Sequence, residues 1–364
     1  MNNNYIQFLS LVYSTSISII SKKFKIITPR PIINYLELTK ECNLKCKSCS
    51  YWKKRVDNKL DKESIFQYVD ELKKLGIKVV GITGGEPLLR NDLEDIIKYI
   101  KSKGIKVIID TNGILLTEKR VRSLVESGTD SIMVSFYHSN EKIQDVFSGT
   151  KNTFSKKIKA IENLSKYKNK INFGVIVIIT KENFKDIIKI GKFLKSKKVD
   201  YIKLYPMHNC YPYNEFGSIN ISLTSFRNKD FIKLKEKLQE FKKFAKNNRI
   251  HTNLSNTFTE SIIRFLQGKI NTYPCYAGYL YFYTNYKGDI FTCYDLNKPV
   301  GNVKKQKLMS IWRSKKFAQM RKMVDKLDCN GCCDTCNFGI NLYANPIFML
   351  KNFKNVISEI GKYL

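Results

Sequence analysis

The sequence predicts an α/β protein in which six βα units form a partial, TIM-like (β/α)6 barrel, followed by a small C-terminal α+β domain. From Ile33 to about Tyr205, short β-branched runs alternate with amphipathic helical stretches. This alternation is typical of a parallel sheet with buried strands. Six such units indicate an open or incomplete barrel, whose ligand site is expected at the carboxyl ends of the strands. After Met207 the alternation ends, which predicts a second structural unit.

The elements of the barrel follow one another in a regular order. The predicted strands are Ile33–Thr39, Val79–Thr83, Lys106–Asp110, Asp130–Ser135, Asn172–Ile179 and Tyr201–Tyr205. The predicted helices are Asp61–Leu75, Asp92–Lys103, Glu118–Ser127, Thr153–Tyr167 and Asn183–Ser196. Each helix is long enough to return the chain across the sheet, as parallel strands require.

The second part of the chain has a different pattern. Helical periodicity predicts four helices: Thr224–Asn247, Thr257–Gly268, Leu308–Val324 and a terminal helix, Pro346–Tyr363. Two strands, Tyr279–Asn285 and Asp289–Tyr294, are predicted to form a β-hairpin around Lys287-Gly288. We therefore expect five segments: an N-terminal helical extension (1–32), the barrel (33–209), a helical linker (210–270), a small α+β domain (271–340) and a C-terminal helix (341–364).

The charge of the chain is strongly positive. Lysine and arginine total 64 against 32 acidic residues, which gives a net charge of +32. Such a charge favours contact with an anion, which could be a nucleic acid, a membrane surface or a phosphorylated substrate. However, the lysines are spread along the chain and form no compact arginine-rich block, so we do not expect nucleic-acid binding.

The N-terminus lacks the features of a targeting signal. Its apolar stretch, Tyr5 to Ile20, has no basic region in front of it, is interrupted by Ser and Thr, and is too short to span a bilayer. Apolar residues at helical spacing predict a helix that packs on the body of the protein. A peripheral contact of this helix with a membrane is the alternative.

The ten cysteines are the most informative residues. They form an N-terminal triplet and a C-terminal group, with Cys210 alone between them in a loop. A secreted disulfide protein would be smaller and would carry a signal peptide. The pattern instead predicts metal binding in a reducing cytoplasm, with Cys210 as an unpaired thiol.

The N-terminal triplet is Cys42-Asn-Leu-Lys-Cys46-Lys-Ser-Cys49, directly after the first predicted strand. Three thiolates on one loop suit a cubane cluster of four irons that keeps one iron free of protein ligands. A structural zinc site would require a fourth ligand. No histidine is near in sequence, although spacing alone leaves zinc open.

A second motif, Gly84-Gly85-Glu86-Pro87, follows the second strand. Together, the two motifs resemble the radical S-adenosylmethionine (SAM) superfamily over Ile33 to about Tyr205. The resemblance implies that the free iron chelates SAM and that the Gly84–Glu86 loop binds its amino group. It also places Asn112, within Asp110-Thr111-Asn112-Gly113, and Ser135 in the layer that lines SAM. Tyr137-His138 replaces the usual Asp-Gly of the family, so substrate contacts there depart from its pattern.

The resemblance also implies a reaction class. One electron from a reduced 4Fe-4S cluster cleaves SAM, and the resulting 5′-deoxyadenosyl radical abstracts hydrogen from an unactivated C–H bond. The cofactor does this chemistry, while the protein positions the substrate, tunes the potential and excludes water. An electron donor such as flavodoxin or ferredoxin is expected. No catalytic acid or base can be assigned from the sequence.

The C-terminal cysteines resemble a second family feature. Twelve residues separate Cys275 from Gly288, and four separate Gly288 from Cys293. This spacing is similar to that of the SPASM and twitch extensions of radical SAM enzymes, which hold auxiliary iron–sulfur clusters. The implied ligands are Cys275, Cys293 and two of the late cysteines Cys329, Cys332, Cys333 and Cys336, with Cys329 and Cys332 as the first choice.

Six cysteines are fewer than two separate clusters would use. We therefore expect one auxiliary cluster, with two clusters, or a zinc knuckle at 329–336, as alternatives.

The predicted function is therefore that of a SPASM- or twitch-type radical SAM oxidoreductase. It would oxidise, dehydrogenate or crosslink a small, sugar-like molecule or a peptide. The alternative from a different class is a zinc-containing protein that binds nucleic acid or a membrane surface. Metal analysis separates the two, because only the first contains iron and acid-labile sulfide.

Overall fold

We analysed a computed structural model that describes residues 16–24, 28–53, 59–208, 220–269, 273–293, 296–327, 339–342 and 344. A nine-stranded sheet runs through it in the order β6-β5-β4-β3-β2-β1-β7-β8-β9. The strands are β1 (Ile33–Thr39), β2 (Val79–Gly84), β3 (Lys106–Thr111), β4 (Ser131–Phe136), β5 (Asn172–Ile179), β6 (Ile202–Pro206), β7 (Tyr281–Thr284), β8 (Asp289–Phe291) and β9 (Gly301–Asn302). The first six pair in parallel with their neighbours, which confirms the predicted partial barrel.

Helices follow the strands and cover the outer face of the sheet. They are α1 (Lys62–Leu75), α2 (Leu93–Ser102), α3 (Glu118–Glu126), α4 (Glu141–Ser148), α5 (Thr153–Ser165), α6 (Ile187–Ser196), α7 (Asn228–Asn247), α8 (Asn256–Leu266), α9 (Leu308–Arg313) and α10 (Lys315–Asp325). Residues 16–24 are also helical. No helix among the described residues is long and apolar enough to cross a membrane.

Alternation along β1 separates the hydrophobic core from the interior of the barrel. Leu36 and Leu38 are almost fully buried in the core between sheet and helices. Tyr35 and Glu37 point the opposite way and line a cavity inside the barrel. Successive side chains of a strand face opposite sides, so a single strand supplies both surfaces. Burying each leucine contributes about 1.5–3 kcal/mol, and the strand is thereby fixed against α1 and α2.

Helix α1 begins and ends close to its predicted bounds because a capping residue lies at each end. The Asp61 side chain accepts a 2.7 Å hydrogen bond from the Ser64 backbone N–H, which satisfies one of the free donors of the first turn. At the other end, Gly76 adopts φ +96°, a left-handed conformation that glycine enters without strain, and its N–H bonds to the Leu72 carbonyl.

The C-terminal strands continue the barrel sheet rather than forming a separate one. Strand β7 pairs in parallel with β1, with Tyr283 opposite Tyr35. Strand β8 then pairs antiparallel with β7, which is the predicted hairpin. The C-terminal lobe is therefore hydrogen-bonded to the first strand of the barrel.

The helices of the structure differ from the predicted ones in two places. The short helix α4 was not predicted. The predicted helix Leu308–Val324 is divided into α9 and α10 because Ser314 is extended, with ψ 152°, and its hydroxyl accepts a 3.1 Å bond from the Phe317 N–H. The predicted terminal helix, Pro346–Tyr363, lies outside the described residues.

The helical residues 16–24 pack on the C-terminal lobe. The Ser18 hydroxyl lies 3.1 Å from the Arg30 carbonyl oxygen and 3.2 Å from that of Tyr279. Lys22 forms an ion pair with Asp325 of α10. This part of the N-terminus therefore contacts the body of the protein, as the sequence predicts.

Candidate functional site

A cavity of about 290 Å³ opens inside the barrel at the carboxyl ends of the strands. Every barrel strand contributes to its wall, which includes Glu37, Thr83, Asp110, Ser135, Ile178 and Tyr205. This is the edge at which parallel barrels bind ligands.

The three N-terminal cysteines lie on the loop after β1, and all of them line this cavity. The neighbouring helix α4 holds the loop from outside. The Lys45 N–H donates to the Ser148 carbonyl at 3.0 Å, and the Lys47 N–H donates to the Phe147 carbonyl at 2.9 Å. The helix that was not predicted therefore positions the cysteine loop.

The environment of the thiols opposes their ionisation in the metal-free chain. Burial raises the pKa of Cys46 to about 12 and that of Cys49 to about 11, and it also raises the pKa of Cys42. A bound metal centre reverses this preference, because metal binding deprotonates thiols. Hydrogen bonds to the sulfurs are already in place: the Tyr51 N–H lies 3.5 Å from Cys49 Sγ, and Asn112 Nδ2 lies 3.9 Å from Cys42 Sγ.

The donor set fits an iron–sulfur cubane. Three thiols share one cavity wall, and three thiolates are what such a cluster requires when one iron stays open. Among the described residues, no three His, Cys, Asp or Glu side chains are arranged to hold a single metal ion. The thiols of a cubane surround a four-iron body and need not converge on one point.

The two glycines of the loop after β2 are required by close packing against the cysteine loop. A Cβ on Gly84 would lie 2.2 Å from the Thr39 carbonyl oxygen, and one on Gly85 would lie 2.2 Å from that of Glu41. Gly84 also has φ +130°, which other residues rarely adopt. Both glycines line the cavity. They bring the β2 loop directly against the β1 loop, so the two motifs form one wall.

Glu86 is fully buried and is not among the residues that line the cavity. Its Oε1 accepts bonds from the Thr111 hydroxyl at 2.7 Å and the Leu88 N–H at 3.1 Å. Its Oε2 accepts a 2.7 Å bond from the Asn112 N–H. Burial raises the pKa of this carboxyl. The carboxylate thus joins the loops after β2 and β3.

Asn112 and Ser135, which the resemblance placed in the layer that lines SAM, both line the cavity. The Asn112 side-chain amide donates to Asn43 Oδ1 at 2.7 Å and so reaches the cysteine loop. The backbone carbonyls of both residues also accept hydrogen bonds from one buried cation. The loops after β1, β3 and β4 therefore meet at Asn112.

That cation is Lys157 of α5, which the sequence analysis missed. Its Nζ donates to the carbonyls of Asn112 and Ser135, each at 2.6 Å. The side chain is buried and lines the cavity, and burial lowers its pKa to about 8. The signal was present, because Lys157 lies on the buried face of α5, four residues after Thr153 and four before Ile161.

A second polar group in the wall was also missed. The Tyr51 hydroxyl donates to Glu37 Oε1 at 2.6 Å, and both residues line the cavity. The Lys40 ammonium lies 3.9 Å from Glu37 Oε2 and 3.6 Å from the centre of the Tyr51 ring. This buried group lies between the cysteine loop and β1.

Tyr137 and His138, which depart from the family pattern, separate at the end of β4. Tyr137 lines the cavity, and its hydroxyl lies 2.7 Å from the Thr180 hydroxyl. His138 is buried outside the cavity wall, and its Nδ1 accepts a 2.9 Å bond from the Asn140 N–H. Its position is that of a loop residue.

Two of the C-terminal cysteines fall within the described residues. Cys275 and Cys293 pack in one hydrophobic core with the tyrosines of β7. Burial raises the pKa of Cys275. The four late cysteines, Cys329, Cys332, Cys333 and Cys336, lie outside the described residues, as does Cys210.

Comparisons with protein families match both regions of the chain. Residues 36–194 match the radical SAM superfamily. Residues 275–337 match the SPASM iron–sulfur cluster-binding domain. The first match runs from Leu36 in β1 to the helix after β5, and the second spans the hairpin and all six C-terminal cysteines.

Curated relatives agree with these matches. The chain is 31% identical to Fe-coproporphyrin III synthase of Methanosarcina barkeri over 178 residues, which is 48% of this chain and only 44% of that protein. It is 24% identical to AdoMet-dependent heme synthase of the same organism over 337 residues, covering 86% of this chain and 90% of the relative.

Solved structures share the fold. SuiB of Streptococcus suis bound to its precursor peptide SuiA has a TM-score of 0.66 at 20% identity, covering 86% of this chain and 74% of SuiB. The protein anSMEcpe with bound AdoMet, which is SAM, has a TM-score of 0.63 at 19% identity, covering 90% of this chain and 99% of that one. At such identities the likeness establishes the architecture alone.

Proposed function

The chain belongs to the radical SAM superfamily and carries a C-terminal SPASM domain, and on that premise we propose that it cleaves SAM to oxidise a C–H bond of its substrate. One observation carries the proposal: the thiols of Cys42, Cys46 and Cys49 share a cavity wall with the glycine loop and with a buried lysine. Both matched families bind iron–sulfur clusters, which favours iron over the zinc alternative.

The three thiolates would hold a 4Fe-4S cluster with one iron open to SAM. When bound, this cofactor supplies the electron that cleaves SAM and releases the 5′-deoxyadenosyl radical. The protein contributes the enclosure and the positions of the groups around it. Because Gly84 and Gly85 have no side chains, their backbone atoms form this part of the cavity wall. Asn112 connects the wall to the cysteine loop through its hydrogen bond to Asn43.

Lys157 is proposed to bind the carboxylate of SAM. An ammonium has three N–H donors, and the carbonyls of Asn112 and Ser135 accept two of them. The third is available to a ligand carboxylate in the cavity. An ion pair there would also offset the burial that lowers the pKa of Lys157. Glu86 is proposed to position Asn112 rather than to touch SAM.

Cys275 and Cys293 are proposed to hold one auxiliary cluster together with two of the late cysteines, with Cys329 and Cys332 as the first choice. This cluster would accept the second electron of a two-electron oxidation, or would bind the substrate. Strand β7 of the C-terminal lobe pairs with β1 of the barrel. An electron from the cavity would therefore reach the auxiliary cluster through this part of the cavity wall.

The cavity wall favours a flat, conjugated substrate over a peptide. Eight aromatic side chains line it, namely Tyr35, Tyr51, Trp52, Phe136, Tyr137, Phe147, Tyr205 and Tyr283. Aromatic faces stack on planar molecules. Two relatives that match along most of their length are named AdoMet-dependent heme synthases, and a third is named a cofactor-modifying protein of a tungsten-containing aldehyde ferredoxin oxidoreductase. On the first two we propose an iron porphyrin, with its reacting edge inside the cavity. A peptide, as in SuiB, is the second candidate.

We also propose a cytoplasmic location and an acidic electron carrier, such as flavodoxin or ferredoxin. The net charge of +32 would attract such a protein electrostatically.

Two measurements test the proposal. Anaerobically reconstituted protein with SAM and dithionite should form 5′-deoxyadenosine, and a failure with full iron content would contradict the reaction. Titration with iron coproporphyrin should shift the Soret band at about one equivalent. No shift, together with SAM cleavage stimulated by a candidate peptide, would replace the porphyrin with the peptide.

A further inference from the structure

Tyr281 of β7 lies between the cavity wall and Cys275. Its hydroxyl oxygen is 3.6 Å from Cys275 Sγ. Its ring meets Tyr35 and Tyr283 edge-on, with 6.4 Å between ring centres in both cases. Tyr35 and Tyr283 stack on each other at 4.9 Å, and both line the cavity. A continuous path of packed tyrosines therefore runs from the cavity to a proposed ligand of the auxiliary cluster.

The direction of the hydrogen bond follows from the state of the sulfur. Between a thiol and a phenol either group can donate, but a metal-bound thiolate has no proton. In the loaded protein, the Tyr281 hydroxyl is therefore the donor of this pair. Asn341 Oδ1 lies 3.4 Å from the same hydroxyl and also accepts a 2.8 Å bond from the Tyr276 N–H, so it competes with the sulfur for the hydroxyl proton. A thiolate carries negative charge and is therefore the stronger acceptor of the two.

Two described residues, one before and one after the late cysteines in sequence, bond to residues that follow Cys275. Before these cysteines, Asp325 Oδ2 accepts a 2.9 Å bond from the Tyr279 hydroxyl. After them, Asn341 accepts the bond from Tyr276. Asp325 and Asn341 are thus both hydrogen-bonded to residues that follow Cys275 closely in the chain.

We propose that the Tyr281 hydroxyl donates a hydrogen bond to the Cys275 sulfur and sets the reduction potential of the auxiliary cluster. The inference rests on the proposed function, because it requires that Cys275 ligate this cluster. Reduction adds negative charge to a cluster, and donors to its sulfurs stabilise that charge. The hydrogen bond from Tyr281 therefore raises the reduction potential of the cluster, which makes the cluster a better electron acceptor. Tyr281 acts through Cys275 and does not need to touch the substrate.

The test is a potentiometric titration of the auxiliary cluster, followed by electron paramagnetic resonance. The background is the full chain with Cys42, Cys46 and Cys49 changed to Ala, so that only the auxiliary cluster gives a signal. Tyr281→Phe keeps the ring and removes the donor, and it should shift the midpoint potential to a more negative value. Tyr283→Phe is the matched control, because this neighbouring tyrosine of β7 has no described bond to Cys275, and it should leave the potential unchanged.

A second variant protects the test against loss of folding. Incorporation of 3-fluorotyrosine at position 281 keeps ring and hydroxyl but strengthens the donor, and it should shift the potential in the positive direction. Unchanged potentials in both position-281 variants, at full iron content, would overturn the inference. If the background protein binds no iron, the auxiliary cluster itself is absent, and it is the proposed function of the lobe that fails.

Discussion

Glu86 accepts a 2.7 Å hydrogen bond from the backbone N–H of Asn112 and so fixes the loop after β3 to the loop after β2. Two further donors, the Thr111 hydroxyl and the Leu88 N–H, reach the other carboxylate oxygen. The resemblance to radical SAM proteins implied that this residue faces SAM. In the structure it has three protein donors and is not among the residues that line the cavity.

Glu86→Gln should therefore lower stability and SAM affinity together. One end of a glutamine side chain is an amide nitrogen, which cannot accept these bonds, so at least one buried donor loses its partner. The expected cost is about 1–3 kcal/mol in the free energy of unfolding. Iron content should stay near the wild-type value, because the cysteine loop is intact. Denaturant unfolding, calorimetry with SAM and iron analysis measure the three quantities.

Glu41→Gln is the matched control, because Glu41 lies on the cysteine loop with a half-exposed side chain, whose carboxylate lies 3.9 Å from the Lys59 ammonium. It should change neither stability nor SAM affinity appreciably. Unchanged stability with weaker SAM binding in Glu86→Gln would mean that the carboxylate does contact the ligand.

Lys157→Gln should weaken SAM binding without loss of the cluster. A charge-assisted contact with a carboxylate contributes about 1.5–3 kcal/mol, which corresponds to a rise of about 10- to 150-fold in the Kd for SAM. The adjacent Lys156→Gln serves as the control, because that side chain is exposed on the same helix. Calorimetry on reconstituted protein makes the comparison. Equal affinities for the two variants would remove Lys157 from the SAM site.

The barrel could be predicted because its signals are local. The predicted strands match the structure residue for residue at Ile33–Thr39 and Asn172–Ile179, since both are short segments rich in apolar residues. Helix α4 was missed because it is short, and its clearest signal is one residue, Asn140, whose side chain caps the Ile143 N–H at 3.1 Å. The break at Ser314 was missed because serine is also tolerated inside helices.

The site could be predicted only where it depends on motifs. Cys42, Cys46, Cys49 and the glycine pair are contiguous in sequence, so their spacing was visible. Lys157 is one of 64 basic residues, and its contact with Asn112 joins positions 45 apart in the chain. The pairing of Tyr35 with Tyr283 depends on a parallel strand pair between distant segments, which periodicity does not specify.

Replacing Cys42, Cys46 and Cys49 together with Ala should remove about half of the iron and all SAM cleavage. Two four-iron clusters give about eight irons per chain, and the triple variant should retain about four in the C-terminal lobe. Iron and sulfide analysis, with an assay for 5′-deoxyadenosine under dithionite, provides the readout. Formation of 5′-deoxyadenosine by the triple variant would place the SAM site elsewhere.

Changing Cys275 and Cys293 together to Ala should separate SAM cleavage from substrate turnover. The N-terminal triplet alone would support uncoupled cleavage of SAM, so 5′-deoxyadenosine should still form at close to the wild-type rate. Iron should fall by about four per chain if the lobe holds one cubane, and by more if it holds two. Oxidation of the substrate should be lost, because the auxiliary group would accept its electron or bind it.

Loss of folding is the main alternative explanation for such a result, because removing a metal centre from a small lobe can unfold it. The lobe has other support, since β7 is hydrogen-bonded to β1 and Trp312 of α9 donates a 3.0 Å bond to the Pro29 carbonyl. A circular-dichroism melt should therefore show a folded double variant. If that folded variant keeps its full iron content, Cys275 and Cys293 are structural, and the electron acceptor must be sought elsewhere in the chain.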